Sequence, residues 1–310
     1  MVFFLYLCGV KNRVMRHFGL FGLLLVVCLC GCGKLNEKSD VNGGGEEGVA
    51  ETVFEGGVLP GRFSVGEGVT VQFSQGNLQY QASTGSWRFA EHQYDTVGVL
   101  NGRLSSSYEG WIDMFGFGTS GWESGAVCYA PYSSSGNYAD YYVGGAVGNG
   151  LTGDYARADW GVRNAITNGG GVAGVWRTLT AGEWKYLLTG RAQAGDLCSI
   201  GVVNSVKGLL LLPDDWEEGD VVFSGGASSW SENSYGAADW VALHNAGAVF
   251  LPAAGVRGGN VVQNVGNMGC YWSSTAVDEY CASAVLFGAD GVDGEYRGVR
   301  FYGRSVRLVK

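Results

Sequence analysis

Apolar and polar residues alternate in three short segments that follow residue 54, and this alternation predicts β-strands. The segments are residues 69–73, 78–82 and 87–89, separated by the turn sequences SQGN and TGS. Side chains two residues apart lie on the same face of a strand, so each segment can bury one face. The spacing therefore predicts a β-meander over about residues 54–100.

Helical spacing of apolar residues occurs in residues 159–167, 180–190 and 237–245. In the second segment, Thr180 and Glu183 have the spacing of a capping box, in which each side chain accepts the other residue's backbone N–H. Trp184, Leu187 and Leu188 then share one helix face, and Gly190 ends the segment. We therefore predict three short helices.

Further strands are predicted downstream, and one long segment has no clear period. The predicted strands are residues 199–203, 206–212, 249–251, 270–274, 282–287, 298–302 and 305–309. Residues 101–157 are rich in glycine, serine and tyrosine without periodicity, which predicts a long loop. Few helices and many short strands predict the α+β class.

The composition indicates a folded domain and excludes several classes of protein. The 310 residues include 54 Gly and 4 Pro, together with 10 Trp, 16 Tyr and 14 Phe. Collagen needs a strict glycine period with much proline, and a disordered chain carries few aromatic side chains. Binding to phosphate backbones requires a basic face, and the net charge of this chain is −9. No nucleic-acid partner is therefore predicted.

The first residues contain, in sequence, the parts of an export signal. Arg16 precedes an apolar run at residues 18–29, which is shorter than the roughly 20 residues of a membrane-spanning helix. The run ends in LCGC (29–32), which resembles the bacterial lipobox, whose last cysteine is acylated and becomes the mature N-terminus. We therefore predict a lipoprotein signal peptide over residues 1–31 and lipidation of Cys32. A plain signal peptide or a membrane anchor is the alternative.

A polar, glycine-rich and acidic segment follows the predicted cleavage site. Residues 33–50 contain no aromatic side chain, and residues 32–53 are predicted to be a flexible tether between the lipid and a domain. Cleavage before Cys32 leaves 17 Lys and Arg against 29 Asp and Glu, a net charge of −12. The membrane is the expected partner through the lipid anchor, and the expected location is the outer membrane of the cell envelope. The membrane leaflet and exposure at the cell surface stay open.

Five strings in the second half of the chain carry a family resemblance. They are VWRTLTAGEWKYLL (175–188), LLLLPDDW (209–216), VFLPAAGVR (249–257), CYWSSTA (270–276) and GRSVRLV (303–309). Together with residues 71–98, they resemble the Fibrobacter succinogenes major paralogous domain, found in Bacteroidetes lipoproteins. The resemblance implies one C-type-lectin-like domain over residues 54–310, with short twisted antiparallel strands, two or three short helices and long loops. It also implies binding or adhesion at the cell surface.

The long loop supplies the candidate binding residues. Tyr and Trp side chains give large, rigid contact areas at low entropic cost, which suits recognition of a glycan or a protein. The same side chains can equally pack against one another, and both interpretations stay open. The candidates are Trp111, Trp122, Tyr129, Tyr141 and Tyr142, with Tyr132 and Tyr138 beside them.

No catalytic arrangement and no cofactor is predicted. The GxGxxG match at residues 116–121 lacks a strand–turn–helix unit around it, and neither His92 nor His244 has a second metal ligand at suitable spacing. Asp290, Asp293 and Glu295 fall in a glycine-rich turn, where a calcium site is the alternative to a solvated hairpin. The calcium-dependent sugar motifs of animal lectins, Glu-Pro-Asn and Gln-Pro-Asp, do not occur in the sequence.

Four cysteines follow Cys32, and two of them are predicted to pair. Cys270 and Cys281 flank segments that are expected to be neighbouring strands joined by a short loop, so we predict a disulfide between them. The pairing of Cys128 and Cys198 stays open. Formylglycine-generating enzymes, which resemble this fold, use an oxidising cysteine pair close together. An oxidoreductase of that kind, or a structural subunit of a surface appendage, is the alternative to a non-catalytic binding protein.

Replacement of Cys32 by alanine should abolish lipidation, because the thiol that takes the lipid is then missing. Cells fed a clickable palmitate should label the parent protein and not the variant, as measured by in-gel fluorescence. Cys30→Ala is the matched control and should stay labelled. Label that persists in Cys32→Ala would contradict the assignment and move the lipid to Cys28 or Cys30.

Overall fold

Small antiparallel sheets and a few short helices make up the regular structure, so the mixed α+β class is confirmed. The computed structural model describes residues 51–219 and 221–310, which form one compact unit. The predicted signal peptide, Cys32 and the tether residues 33–50 lie outside the described residues. In the described part of the chain, no helix is long and apolar enough to cross a membrane.

The strands are short throughout. In chain order they are β1 Phe63–Gly66, β2 Val69–Val71, β3 Leu78–Gln81, β4 Ser86–Phe89, β5 Trp111–Ile112, β6 Arg177–Thr178, β7 Cys198–Val203, β8 Val206–Leu211, β9 Ser234–Tyr235, β10 Val249–Pro252, β11 Val256–Gly258, β12 Val261–Gln263, β13 Met268–Ala276, β14 Cys281–Gly288, β15 Gly291–Val299 and β16 Leu308–Val309. The α-helices are α1 Trp160–Arg163, α2 Ala181–Lys185 and α3 Ala237–Asn245.

The strands form separate small sheets instead of one large sheet. The largest has the order β10-β8-β7-β9, and in it β9 runs parallel to β7 while the other pairs are antiparallel. Two three-stranded sheets have the orders β4-β3-β5 and β13-β14-β15. The two-stranded sheets are β1-β2, β11-β12 and β16-β6, the last of which joins the end of the chain to the strand before α2.

The helices follow their local signals. α2 begins at the predicted capping box, in which Thr180 Oγ1 accepts from Glu183 N at 3.2 Å and the Glu183 carboxylate accepts from Thr180 N at 2.8 Å. It continues as a π-helical turn over Tyr186–Gly190. α3 has the predicted bounds, whereas α1 is a single turn because Asn164 leaves helical geometry at φ −114° and ψ 144°.

Residues 63–89 form two separate hairpins, so the predicted continuous meander is wrong. β1 pairs with β2, and β3 pairs with β4. Between the hairpins, Gln72 N donates to Lys310 O at 2.9 Å and Ser74 N donates to Leu308 O at 2.9 Å. The end of the chain therefore takes the hydrogen bonds that a meander would form between β2 and β3.

Two predicted strands near the end of the chain are also displaced. β15 starts at Gly291, directly after a tight turn, and ends at Val299, so it overlaps only the start of the predicted strand 298–302. Of residues 305–309, only 308–309 form a strand, β16. The glycine-rich acidic segment is therefore mostly strand and not a turn.

Three apolar clusters form the interior. The first lies between α2 and the four-stranded sheet and includes Trp184 and Leu209. The second packs the β3-β4 hairpin and the long loop against β13 and β14, through side chains such as Phe117 and Trp272. The third lies under α3 around Trp240. The second cluster holds the loop that carries the candidate binding residues.

Buried arginines hydrogen-bond to backbone carbonyls of irregular segments. Arg300 donates to Val147 O at 2.7 Å, and Arg307 donates to Ser74 O at 3.0 Å. Burial lowers the pKa of Arg307 to about 10, so its guanidinium stays charged at neutral pH. None of these arginines forms an ion pair with a described carboxylate. The set is Arg257, Arg300, Arg304 and Arg307, whereas Arg191, which is also buried, pairs with Asp214 at 3.0 Å.

Asp113 is a fully buried carboxylate that joins β5 to the turn at residues 97–101. Its oxygens accept from Val97 N at 2.9 Å and from Asn101 Nδ2 at 2.6 Å, and the Asn101 side-chain oxygen accepts from Asp113 N at 2.8 Å. Burial raises the pKa of Asp113 to about 6, and these hydrogen bonds only partly oppose the rise. The charged form is therefore present at neutral pH at a cost in stability.

The buried Asp113 should make stability depend on pH. Because its folded-state pKa is raised, the stabilisation is complete below about pH 4 and is lost as the pH rises through about 6. Between about pH 7.5 and about pH 4.5, the free energy of unfolding should increase by about 2 kcal/mol relative to Asp113→Asn, which cannot titrate. Urea denaturation at both pH values measures this difference. A difference that does not change with pH would contradict the assignment.

Candidate functional site

The predicted binding loop is packed from within, and Tyr141 is part of that packing. The Tyr141 ring lies against Gly116, where an added Cβ would overlap the ring. The Tyr141 hydroxyl donates to Ser135 O at 3.2 Å, and the residue has no exposed surface. The prediction of Tyr141 as a ligand-contacting residue is therefore wrong.

Three other predicted binding residues are only partly exposed. The Arg88 guanidinium lies 4.0 Å from the ring centroid of Trp111, and the Arg157 guanidinium lies 5.7 Å from that of Trp122. Tyr129 is half-buried, and its hydroxyl donates to Glu123 at 3.0 Å. Within the described residues, no ring contact joins these three aromatic side chains to Tyr142.

Tyr142 belongs to a cluster with Tyr138 of the same loop and Tyr280 of the β13–β14 hairpin. The rings of Tyr138 and Tyr280 lie 4.5 Å apart at 68°, and those of Tyr138 and Tyr142 lie 6.3 Å apart at 47°. Tyr280 is 40% exposed, and the other two are half-buried. We call these three residues the tyrosine patch.

The tyrosine patch has a rigid support. The Tyr142 hydroxyl donates to Glu279 O at 2.8 Å, which attaches the loop to the hairpin. The guanidinium of the buried Arg300 lies 5.4 Å from the Tyr142 centroid and donates to Asp278 O at 2.9 Å. Its second acceptor, Val147 O, belongs to the long loop. One buried cation therefore holds both chain segments that carry the patch.

The phenol groups of Tyr280 and Tyr142 are protonated at neutral pH. Hydrogen bonds with Glu279 and Tyr138 raise the pKa of Tyr280, and burial raises the pKa of Tyr142. A protonated phenol both donates and accepts hydrogen bonds, while its ring offers apolar contact. This chemistry suits binding and supplies no general base.

The predicted disulfide between Cys270 and Cys281 is wrong. The register of β13 and β14 places Cys270 opposite Leu286, which is five positions from Cys281 along β14, or roughly 16 Å. A disulfide requires Cα atoms within about 7 Å. Because β14 begins at Cys281 itself, the two cysteines lie toward opposite ends of the strand pair.

Cys270 is a buried thiol beside a cation. Arg304 Nε donates to the Cys270 sulfur at 3.0 Å, and the Arg304 guanidinium lies 4.4 Å from the Trp272 centroid. Burial raises the pKa of Cys270, although Arg304 opposes the rise. Since the thiolate is the reactive form, a protonated and buried thiol is a poor nucleophile.

The predicted acidic turn does not gather its three carboxylates. Asp290 lies in the turn before β15, whereas Asp293 Oδ1 accepts from Glu295 N at 2.9 Å within the strand. The Glu295 carboxylate pairs with Lys185 Nζ at 3.0 Å. Among the residues that the structure describes, no group of three or more His, Cys, Asp or Glu side chains could hold a metal ion. The calcium alternative therefore has no support.

A cleft of about 300 Å³ contains both histidines of the described residues, which sequence spacing did not connect. His92 Nδ1 lies 3.2 Å from Glu51 Oε2, and His244 Nε2 lies 3.0 Å from Thr52 O. The tether was predicted to extend to residue 53. Because Glu51 and Thr52 contact the folded domain, that boundary is wrong.

The tautomer of His244 follows from its neighbour Gln93. Gln93 Oε1 accepts from Phe250 N at 2.8 Å and Nε2 donates to Ala248 O at 2.9 Å, which fixes the amide orientation. Gln93 Nε2 also lies 3.1 Å from His244 Nδ1, so Nδ1 accepts and Nε2 carries the proton that points to Thr52 O. This hydrogen bond attaches Thr52, at the start of the domain, to α3.

Comparisons with protein-family models, curated proteins and solved structures found no match. The candidate site is therefore described by its geometry: three tyrosines from two chain segments, held by a buried arginine.

Two neighbouring tyrosines should differ sharply in their effect on stability. Tyr141→Ala should lower the free energy of unfolding by about 3 kcal/mol or more, because it leaves a cavity in the core. Tyr138→Ala should lower it by less than about 1 kcal/mol, because this side chain lies at the surface. Urea denaturation measures both values, and Tyr141→Phe, which keeps the ring, is the control. Equal losses for the two alanine variants would show that the patch is part of the core.

Proposed function

We propose that this protein is a non-catalytic recognition protein of the cell envelope that binds its ligand through the tyrosine patch. The main support for the proposal is that Tyr138, Tyr142 and Tyr280 cluster at the surface over the buried Arg300. Rigid, partly exposed tyrosines offer large contact areas that lose little entropy on binding. Preorganisation of this kind lowers the cost of association.

The patch favours a protein ligand over a glycan. A sugar ring stacks best on a flat aromatic face, but the rings of the patch are tilted against each other by 68° and 47°. Tilted rings offer edges and hydroxyl groups at several angles, which suits the uneven surface of a protein. Binding needs no calcium in this proposal, and the wider role is adhesion or recognition at the cell surface.

We also propose that the domain has a C-type-lectin-like fold and belongs to the Fibrobacter succinogenes major paralogous family. The strings that carry the resemblance lie at structurally important positions, which supports this proposal. Residues 175–188 include the capping box of α2, residues 270–276 lie in β13, and residues 303–309 contain Arg304 and Arg307. Attachment to the outer membrane through Cys32 is part of the same proposal and depends on the lipobox.

The two alternative functions have weaker support. An oxidoreductase of the formylglycine-generating kind needs a close cysteine pair, and the register separates Cys270 from Cys281. An appendage subunit needs a strand edge that accepts another chain. The edge strand β15 carries a bulge between the positions opposite Ala284 and Leu286, and charged side chains such as Arg297. Both features hinder strand addition.

Replacement of Tyr138 and Tyr280 by serine should remove ligand binding while the fold is kept. The protein is screened on arrays of cell-surface proteins and glycans, and a selected ligand is then measured by surface plasmon resonance. The double variant should bind about tenfold more weakly or worse, because central aromatic residues supply much of the energy of an interface.

Trp111→Ala is the matched control, since Trp111 is a partly exposed aromatic residue of β5 that lies outside the patch. It should bind like the parent protein. Loss of binding in Trp111→Ala alone would move the site away from the patch. Loss of binding on addition of EDTA would contradict the calcium-independent mode.

A further inference from the structure

Glu279 places a carboxylate inside the tyrosine patch. Its backbone carbonyl accepts from the Tyr142 hydroxyl at 2.8 Å, and Tyr280 is the next residue of the hairpin. A hydrogen bond that the Tyr280 hydroxyl donates to the Glu279 carboxylate is the main reason that the pKa of Tyr280 is raised. Glu279 is exposed, and it forms no ion pair with a described cation. The patch therefore presents aromatic rings beside a negative charge that no described cation neutralises.

The arginines close to the patch do not supply the missing positive charge. Arg297 pairs with Asp278, the residue before Glu279. The buried Arg300 donates to two backbone carbonyls, and its guanidinium lies 5.4 Å from the Tyr142 centroid. Its Nε and Nη1 atoms have no protein partner, but both are buried and a ligand at the surface does not reach them. Arg300 thus supports the patch from within and offers no accessible donor to an anion.

The rings of Tyr138 and Tyr280 suit a cation. The face of an aromatic ring carries partial negative charge and attracts ammonium and guanidinium groups within about 6 Å of the ring centroid. Tyr280 is 40% exposed, and its ring meets that of Tyr138 edge to face. In this arrangement an edge covers only one face of one ring, so the contact leaves the other ring faces uncovered. An anion would be repelled by these faces and by the Glu279 carboxylate.

The charge of the rest of the chain acts in the same direction. The net charge is −9, and a field of this sign attracts cationic partners. Asp140, in the turn Tyr138–Tyr141, is a second carboxylate without an ion pair to a described cation. Its oxygens accept hydrogen bonds from Ser135 and Asn137, both of which are uncharged. The surface that complements this side of the molecule is therefore a basic one.

We infer that the partner of the tyrosine patch is a protein that inserts a basic side chain, an arginine or a lysine. The charged group stacks on the exposed ring of Tyr280 and pairs with the Glu279 carboxylate. The aliphatic stem of the side chain packs against the neighbouring ring of Tyr138. A planar guanidinium fits both the ring face and the carboxylate, so arginine binds more tightly than lysine. This inference rests on the proposed function and assigns the chemistry of the partner.

Saturation-transfer NMR on the full chain tests the inference with four short peptides of glycine and serine. They differ only in the central residue, which is arginine, lysine, glutamine or glutamate. The arginine peptide should receive the most saturation and the lysine peptide less, whereas the glutamine and glutamate peptides should receive none. Added salt should weaken the signal, because it screens exposed charges. Absence of signal from both basic peptides, or an equal signal from the glutamine peptide, would overturn the inference.

Variants of exposed residues assign the binding to the two groups. Glu279→Gln keeps the size of the side chain and should weaken binding of the arginine peptide about fivefold, the upper range for an exposed ion pair. Glu67→Gln, which removes one charge from the exposed turn between β1 and β2, is the matched control and should bind like the parent protein. Tyr280→Phe keeps the ring face and should retain most of the binding, whereas Tyr280→Leu should lose it.

The same variants separate this inference from the proposed function. Suppose that a protein ligand loses binding when Tyr138 and Tyr280 are replaced by serine but binds Glu279→Gln like the parent protein. The patch would then be the binding surface, and the basic side chain would be refuted. Unchanged binding of the arginine peptide by the double serine variant would place the cation elsewhere and would also refute the inference.

Discussion

The structure depends on hydrogen-bond donors that reach the buried carbonyls of its long irregular segments. Helices and sheets satisfy their own backbone groups, but a loop inside a core cannot. Here arginine side chains take that role: Arg307 donates to Ser74 O, between the first two hairpins, and to Phe250 O at the edge of the four-stranded sheet. The planar guanidinium can reach two carbonyls at once, which a lysine cannot do in a fixed geometry. Glycine makes room for these cations, since a Cβ at Gly298 would lie 2.8 Å from the Arg304 guanidinium carbon.

Local sequence signals were enough to predict the helices. Strand register depends on pairing between distant segments, and it was not predicted correctly. The capping box of α2 and the bounds of α3 depend on residues within one segment, so the sequence pattern was sufficient. The supposed meander failed because Leu308 and Lys310, at the far end of the chain, pair with residues 72–74. The disulfide failed for a related reason: neighbouring strands were expected correctly, but their register places Cys270 opposite Leu286. Nothing local in a strand segment specifies which residue lies opposite.

The candidate site shows the same limit on the scale of single side chains. Tyr141 and Tyr142 are adjacent in a segment without periodicity, yet one is enclosed against Gly116 and the other lies at the surface over Arg300. Composition identified the tyrosine-rich loop, but only the fold separates its structural residues from its accessible ones. Tyr280, which completes the patch, comes from a hairpin that no loop-based argument included. The histidine cleft likewise combines residues from distant segments.

The attachment of Glu51 and Thr52 to the two histidines has a mechanical consequence. In the lipid-anchored state that we propose, tension from the membrane would enter the domain at this point and would be carried first by the side-chain hydrogen bonds to His92 and His244. These bonds are weaker than the sheets behind them, so they are the first to open under load. Release of residues 51–53 would lengthen the connection by roughly 10 Å while the sheets and the binding surfaces stay intact. With the proposed anchor in place, the contacts of Glu51 and Thr52 with the two histidines would therefore limit the force that reaches the sheets.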